Sequence, residues 1–221
     1  DTFSYLGNQN NPPDMMLKNG DAIEVKKMES ENSQLALNSS HPKDKLYRDD
    51  TRITDTCKNC EKWDIKDLIY VVGVAPKDTK LKHLWLVYGD CYAANQSVYK
   101  RINSQIKSGI EEIPDVEFHT TNELGRVNSV DPLGITYLRI RGMWGIENPM
   151  KVYSNIYSPN KDSEFNLAAL VSTYKYNSFS KKSKSSIENN ININMKNVEI
   201  KDPNNPAKLM KSKLITFSLW I

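Results

Sequence analysis

Residues 67–75 read Asp-Leu-Ile-Tyr-Val-Val-Gly-Val-Ala, an almost unbroken apolar run of strand length. Such a run is typical of a strand that is covered on both faces. Residues 83–88, His-Leu-Trp-Leu-Val-Tyr, follow after a short polar link and predict the neighbouring strand. Both runs are far shorter than the about 18 apolar residues needed to cross a bilayer, and the chain has no longer run. The sequence therefore predicts a buried sheet and excludes a membrane-spanning helix.

An amphipathic helix is predicted over residues 95–113, after these two strands. Its apolar residues recur every four positions, at Val98, Ile102, Ile106 and Ile110. A second helix is predicted over residues 163–176. Because helices follow strands along the chain, we expect an α/β fold with a mixed central β-sheet flanked by helices.

Shorter elements are predicted around this sheet. Asn19-Gly20 is a hairpin signal between two short strands. The polar residues 28–62 are expected to be mostly irregular, apart from a short helix at 43–50, and the Ser- and Lys-rich residues 178–186 are expected to form a solvated loop. The other predicted strands are residues 3–6, 15–18, 22–26, 135–141 and 214–220.

Length and composition fit one globular domain over residues 1–221. The chain is 38% hydrophobic and 26% charged, which excludes a fibre, a disulfide scaffold and a mostly disordered protein. Its 30 basic and 27 acidic residues give a net charge of +3, too small to indicate nucleic acid by itself. Residues 175–213 nevertheless hold nine Lys and three acidic residues. That segment either meets an acidic partner or is a solvated surface.

The three cysteines are an odd number in a long chain, so a reducing cytosol is the expected compartment. Cys57 and Cys60 form a CxxC pair, which supplies two of the four ligands that a structural zinc site needs. The other ligands would have to come from Cys91 and a histidine. We therefore favour reduced thiols over zinc.

The candidate chemistry lies in residues 12–27, Pro-Pro-Asp-Met-Met-Leu-Lys-Asn-Gly-Asp-Ala-Ile-Glu-Val-Lys-Lys. Glu24 and Lys26 are two positions apart on a predicted strand and so share one face. Asp14 and Glu24 offer hard carboxylate oxygens, which suit Mg²⁺. Lys26 is then placed to hold, or help to deprotonate, a water that attacks phosphorus. The alternative is that these charges form an ordinary solvated strand face.

The hairpin register decides whether the two acids meet. With a two-residue loop at Asn19-Gly20, Asp14 and Glu24 would point to opposite faces. With a three-residue loop at 18–20 and a left-handed Gly20, Leu17 pairs with Asp21 and Asp14 lies opposite Glu24. We predict the three-residue loop. The buried face would then be formed by Met15, Leu17, Ile23 and Val25, and the other face by Ala22, Glu24 and Lys26.

Pro13-Asp14 with Glu24-Val25-Lys26 resembles the PD-(D/E)xK nuclease signature. Longer stretches look like the NgoPII-type restriction endonucleases, over most of residues 3–220. This resemblance implies a PD-(D/E)xK restriction-endonuclease-like fold and a Mg²⁺-dependent type II restriction enzyme, acting in the bacterial cytoplasm as a homodimer on a short palindrome in double-stranded DNA. The matching stretches are Asn-Pro-Pro-Asp-Met-Met-Leu-Lys-Asn-Gly-Asp-Ala-Ile-Glu-Val-Lys-Lys (11–27), Leu-Asn-Ser-Ser-His-Pro-Lys-Asp-Lys-Leu (37–46), Val-Tyr-Gly-Asp-Cys-Tyr-Ala-Ala (87–94) and Tyr-Leu-Arg-Ile-Arg-Gly-Met-Trp-Gly-Ile-Glu-Asn-Pro (137–149).

Carried over by position, the resemblance assigns roles to the hairpin residues. Asp14 and Glu24 match the metal-binding carboxylates, Lys26 matches the catalytic lysine, and the Val25 carbonyl would complete the ion's shell. A GGCC site follows by analogy. The family fold ordinarily has a helix before its first core strand, and only 13 residues precede Asp14. We therefore expect that helix to lie upstream of residue 1.

A G·C palindrome would be read in the major groove most often by arginine on guanine. Arg139 and Arg141 share one face of the strand predicted at 135–141 and are the first candidates, unless they only form surface ion pairs. Phosphate contacts are expected from a polar and basic cluster, although for Ser39 or Ser40 taken singly a helix cap is the better explanation. That cluster is Asn38, Ser39, Ser40, Lys43 and Lys45, and the weaker candidates for DNA contact are Arg126, Asn128 and Trp144.

Two other functions fit the same residues. One is a catalytically silent, sequence-specific DNA-binding module, in which Asp14 and Glu24 never share a metal ion. The other is a repair-type nuclease with the same metal site.

Overall fold

The computed structural model describes residues 2–8, 11–77 and 80–220. Its helices are α1 (Asp55–Asn59), α2 (Gly89–Tyr92), α3 (Gln96–Glu111), α4 (Pro149–Val152), α5 (Thr173–Ser178) and α6 (Lys181–Glu188). Its strands are β1 (Phe3–Asn8), β2 (Asn11–Leu17), β3 (Ala22–Met28), β4 (Leu35–Asn38), β5 (Lys45–Tyr47), β6 (Ile65–Val74), β7 (His83–Tyr88), β8 (Gly125–Asn128), β9 (Tyr137–Ile140), β10 (Trp144–Ile146), β11 (Phe165–Ser172), β12 (Asn194–Asp202) and β13 (Asn205–Leu219).

A large mixed sheet organises the part of the chain that the structure describes. Its strand order is β1-β2-β3-β6-β7-β11-β13-β12, and β5 pairs with β6 beside this path. β3 runs parallel to β6 and β7 runs parallel to β11, whereas the other neighbours are antiparallel. The expectation of a mixed central sheet with flanking helices is confirmed.

The two apolar runs form the middle of this sheet. β6 and β7 are antiparallel neighbours, with Val72 opposite Trp85, so the predicted pairing is confirmed. Leu68 and Tyr70 are buried in the main core, but Ile69 and Val71 on the other face are only half-buried. The cover on the second face of β6 is therefore partial, not complete as the sequence predicted.

The predicted helix over residues 95–113 is confirmed as α3. The Asn95 side chain caps it by accepting a hydrogen bond from the Ser97 N–H. Its apolar stripe is less covered than the periodicity indicates, since Ile102 and Ile106 are exposed. No helix in the described ranges is both long enough and apolar enough to span a bilayer.

The helix predicted over residues 163–176 is wrong. This segment forms β11, followed by the short helix α5. Leucine and alanine favour helices, but β11 lies between β7 and β13 and is hydrogen-bonded on both sides. Burial of Ala168 and Leu170 in the sheet core outweighs the local helical preference.

Two shorter predictions are also wrong. Residues 43–50 contain the strand β5 instead of a helix, because Leu46 is completely buried beside β6. Residues 178–186 contain most of helix α6 instead of a loop, and the Ser180 hydroxyl caps it by accepting from the Ser183 N–H. A serine at this position stabilises the start of a helix, although serine-rich segments are more typical of loops.

Two small antiparallel sheets stand beside the large one. β4 pairs with β10, bringing Asn38 opposite Trp144. β8 pairs with β9, bringing Arg126 opposite Arg139. The strand predicted at 135–141 is thus present as β9, and its partner was not predicted.

Candidate active site and adjoining cleft

The hairpin of β2 and β3 has the predicted three-residue register. Met15 lies opposite Ile23, and the Leu17 N–H donates to the Asp21 carbonyl at 3.0 Å. The left-handed residue of the loop is Asn19, with φ 54°, and not Gly20 as predicted. Asparagine tolerates this conformation because its short side chain bonds locally to the backbone.

This register brings the two acids together. Asp14 Oδ2 accepts the Val25 N–H at 2.6 Å, across the hairpin. Glu24 Oε1 accepts the Lys26 ammonium at 2.7 Å, along the same face of β3. Asp14, Glu24 and Lys26 all line one pocket of about 90 Å³. The three residues predicted for catalysis are therefore neighbours.

The face of the hairpin that carries these groups is the core face, contrary to the sequence prediction. Ala22 is fully buried and Glu24 is half-buried, whereas Val25 on the other face is 41% exposed. The reason is tertiary: β3 pairs in parallel with β6, which sets Glu24 level with the buried Tyr70. Glu24 thus lies where the core opens to solvent and not on a freely solvated strand face.

Burial disfavours the ionised form of the Glu24 carboxyl group. Burial raises the pKa of Glu24 above its ordinary value, and the charge of Asp14 raises it further. The charge and hydrogen bond of Lys26, and the charge of Lys43, act in the opposite direction without cancelling the rise. A cation beside the two carboxylates would favour their ionised form.

The donor chemistry of this pocket fits a hard divalent cation. No hydrogen bond from the described residues reaches Asp14 Oδ1 or Glu24 Oε2, so each acid has an oxygen to offer. The described residues contain no group of three or more His, Cys, Asp or Glu side chains arranged to bind a metal. Mg²⁺ does not need one, since it is held through one or two carboxylates and completes its shell with water and phosphate oxygens.

Two of the predicted phosphate ligands lie elsewhere. Lys43 is 4% exposed, and its ammonium pairs with Asp50 underneath Glu24. Lys45 pairs with Asp67, which also binds Lys175. Lys43 supports the pocket from below and Lys45 lies outside it, because both ammonium groups are held by carboxylates of the fold.

A second cleft, of about 470 Å³, adjoins the pocket. Asn11, Ser39 and Arg52 line both spaces, so the two lie side by side. Among the predicted contacts, Asn38 and Ser40 line the pocket only, whereas Arg126, Arg139, Arg141 and Trp144 line the cleft. Asn128 does not line the cleft, but its side-chain oxygen accepts a hydrogen bond from Arg126 Nε at 3.0 Å.

Arg52 joins the pocket to the cleft, and sequence reasoning missed it. Its Nη1 donates to Ser39 Oγ at 2.8 Å, and its carbonyl accepts from Asn11 Nδ2 at 2.9 Å. The backbone N–H of Arg52 donates to Asp50 Oδ1, so the buried Lys43–Asp50 pair also fixes this arginine. No motif or periodicity marks Arg52 in the sequence.

Glu123 is the second residue that sequence reasoning missed. It accepts hydrogen bonds from both Arg139 and Arg141, at 2.5 to 2.8 Å. These hydrogen bonds lower the pKa of Glu123 to about 2, and those from Arg139 have the largest effect. The glutamate is therefore ionised at any pH at which the protein would work.

The cysteines do not converge. The Cys57 thiol lies 3.7 Å from Met16 Sδ in the core, and burial raises its pKa to about 12. The Cys60 thiol donates to the Cys57 carbonyl at 3.1 Å. Cys91 is buried in α2, and burial raises its pKa as well. This geometry gives the zinc interpretation no support.

Comparison with known proteins identifies the family. The model of the NgoPII restriction endonuclease family matches residues 1–202. A curated protein described as the type II restriction enzyme NgoPII, from Neisseria gonorrhoeae, is 54% identical over 217 residues, which cover 98% of this chain and 78% of that protein. No solved structure matches the chain. On this similarity, which extends over nearly its whole length, the chain belongs to the NgoPII restriction endonuclease family.

Proposed function

We propose that this protein is a type II site-specific deoxyribonuclease that hydrolyses phosphodiester bonds in both strands of DNA and depends on Mg²⁺. The observation that carries the proposal is the pocket of Asp14, Glu24 and Lys26, which lies beside an arginine-lined cleft and shares three lining residues with it. The Neisseria gonorrhoeae relative, a type II restriction enzyme by name, supports the reaction class. A PD-(D/E)xK restriction-endonuclease-like fold is part of this proposal, supported by the two acids and the lysine on a central β-hairpin.

The chain's own residues have separate tasks in hydrolysis. Asp14 and Glu24 would hold Mg²⁺, together with the Val25 carbonyl, and the ion when bound would neutralise charge at the phosphate and make a water more acidic. The Val25 N–H fixes the Asp14 carboxylate through its 2.6 Å hydrogen bond. The Lys26 ammonium, 2.7 Å from Glu24, faces the same space and stabilises negative charge on the attacking oxygen and the phosphate.

The adjoining cleft is the proposed seat of the DNA duplex. It is lined by four arginines and one glutamate, so it attracts the phosphate backbone. Ser39 and Arg52 lie where the cleft meets the pocket and are placed to hold the phosphate next to the scissile bond. By analogy with the NgoPII-type restriction endonucleases, the DNA sequence recognised in the cleft is the palindrome GGCC.

A homodimer is the proposed working form. A palindrome presents two equivalent scissile bonds, one on each strand, and the described residues of one chain supply one Asp14–Glu24 pocket. Two-fold symmetry places one pocket at each bond. The bacterial source of the relative supports action in a bacterial cytoplasm, where the DNA lies.

Plasmid digestion tests the proposal. Purified protein is incubated with a plasmid of known sequence and Mg²⁺, and the fragment ends are sequenced. We expect discrete fragments whose ends share one G/C palindrome, and no cutting in EDTA. Nicks or structure-dependent cuts would instead indicate a repair-type nuclease, and gel retardation without cutting would indicate a silent DNA-binding module.

Matched variants assign the chemistry to the pocket. Lys26→Ala should slow cutting at least about 100-fold, because it removes a positioned charge from the transition state. Lys27→Ala, at the exposed neighbouring position on the opposite face, should cut normally. Glu24→Gln should abolish cutting, whereas Glu29→Gln just beyond β3 should not. Normal cutting by Lys26→Ala or Glu24→Gln would refute the assignment.

A further inference from the structure

Glu123 binds two arginines with one carboxylate. Its Oε2 accepts from Arg139 Nε at 2.8 Å, and its Oε1 accepts from Arg139 Nη2 at 2.6 Å. The same Oε1 accepts from Arg141 Nε at 2.5 Å. The side chain of Glu123 is 18% exposed, whereas those of Arg139 and Arg141 are 44% and 56% exposed. The carboxylate therefore lies behind the two guanidinium groups, which face the solvent in the cleft.

The edges used in these bonds determine what the arginines can still bind. Arg139 uses its side edge, Nε and Nη2, and Arg141 uses only Nε. No hydrogen bond from the described residues engages Arg139 Nη1 or the terminal nitrogens of Arg141. Each guanidinium therefore keeps the end edge that forms two parallel hydrogen bonds with the O6 and N7 atoms of guanine.

The spacing of the two guanidinium groups is also set by Glu123. Arg139 Nη2 and Arg141 Nε bond the same oxygen at 2.6 and 2.5 Å, so they lie no more than about 5 Å apart. Successive bases of one DNA strand are separated by about 3.4 Å. Without the carboxylate, two positive groups this close would repel each other and separate.

An ordinary surface ion pair would not produce this arrangement. Such a pair joins one acid and one base. Here one acid serves two bases, all three side chains line the 470 Å³ cleft, and Arg126 stands opposite Arg139 in the paired strands. The cleft keeps a positive excess after Glu123 has been neutralised.

We propose that Glu123 is a positioning residue that holds Arg139 and Arg141 as a reader of two adjacent guanines in the major groove. This inference rests on the proposed function and adds to it the residue that sets the geometry of base readout. Loss of Glu123 should therefore act on discrimination between sites, through the arginines, and not on the chemistry at Asp14 and Glu24.

The test uses the full-length protein and the site found by sequencing the ends of wild-type fragments. Duplexes carry that site, or the same site with one guanine replaced by 7-deazaguanine, which lacks the N7 acceptor. The wild type should cut the 7-deaza duplex about 2- to 10-fold more slowly, since a bidentate base contact contributes about 1–3 kcal/mol and the analogue removes the N7 half of it. In Glu123→Ala, a higher KM should slow cutting of the normal duplex, so that the ratio of its rate to that of the 7-deaza duplex falls towards one. Arg139→Ala should behave in the same way.

Controls separate positioning from folding. Glu111→Gln, at an exposed ion pair on α3 that does not line the cleft, should keep full discrimination. Glu123→Gln keeps one oxygen acceptor and should recover part of the discrimination lost in Glu123→Ala. The thermal unfolding midpoint of each variant shows that it is folded at the assay temperature.

The outcomes distinguish the two proposals. If the wild type cuts at discrete sites but folded Glu123→Ala retains wild-type discrimination, the role of Glu123 is refuted and the proposed function stands. If Glu123→Ala instead cuts every duplex more slowly by the same factor, so that the ratio of the rates on the normal and 7-deaza duplexes is unchanged, the residue has only a structural role and the inference is refuted as well. If the wild type makes no discrete cuts, the proposed function fails, and this inference fails with it.

Discussion

Replacement of Tyr70 by Phe tests whether the floor of the proposed active site is anchored to the central sheet. The Tyr70 hydroxyl accepts the Lys43 N–H at 2.7 Å and donates to the Lys43 carbonyl at 3.2 Å. Tyr70 is 2% exposed and Lys43 is 4% exposed, so water is not at hand to replace the hydroxyl. One atom thus satisfies two buried backbone groups next to Glu24.

The size of the effect follows from these contacts. Each of the two hydrogen bonds contributes about 1 kcal/mol net, and leaving a buried partner unpaired raises the cost further. We expect Tyr70→Phe to lower the free energy of unfolding by about 2–3 kcal/mol. With a urea dependence of about 2 kcal/mol/M, the unfolding midpoint should fall by more than about 1 M.

Urea unfolding followed by circular dichroism is the assay. Tyr174→Phe is the matched control, because Tyr174 is 85% exposed and its substitution should leave the midpoint unchanged. A change below about 0.5 kcal/mol in Tyr70→Phe, within the range of ordinary surface substitutions, would refute the anchoring role.

Three further predictions concern stability, and the first two involve contacts of Lys43. Burial alone would raise the pKa of Asp50, but Lys43 lowers this pKa below its ordinary value. The ion pair therefore stabilises the fold at pH values above the unfolded-state pKa of about 3.9. This contribution is lost as the pH falls through the lower folded-state pKa. In urea titrations at pH 7, the free energy of unfolding of Asp50→Asn should thus be about 3 kcal/mol below that of the wild type, and this difference should shrink near pH 3. A difference that does not depend on pH would contradict this prediction. Gly89→Ala should destabilise the protein by about 1–3 kcal/mol, because the new Cβ would overlap the carbonyl oxygens of Asp44 and Lys43. Gly109→Ala, in the last turn of α3 with open space around it, should instead stabilise the protein by about 0.5–1 kcal/mol. A thermal melt in which both variants shift alike would show that the local space does not decide the effect.

Local signals predicted some elements well and others badly. The four-residue spacing of apolar positions identified α3, and the long apolar run identified β6, because these periods are properties of the elements themselves. Residues 163–176 were misjudged because Leu and Ala favour a helix in isolation, whereas the place of β11 between two strands decides its conformation.

The candidate site shows the same division. The pocket residues Asp14, Glu24 and Lys26 were found from the hairpin sequence and the family resemblance. Arg52 and Glu123 were not found, because their importance depends on partners such as Ser39 and Arg139 that are distant along the chain. Lys43 looked like a phosphate ligand in the sequence, but its burial against Asp50 makes it a support of the fold.

By itself, the sequence predicted that Asp14 and Glu24 share one face, because the three-residue hairpin loop and the two-residue period of strands are local properties, and the register confirms this. Only the tertiary structure decided that this face is the buried one, because the decision belongs to the parallel pairing of β3 with β6. The tertiary structure also decided that the arginine-lined cleft lies beside the pocket, since Asn11, Ser39 and Arg52, from separate parts of the chain, line both. Burial and long-range hydrogen bonds depend on the whole fold, and no short stretch of sequence contains them.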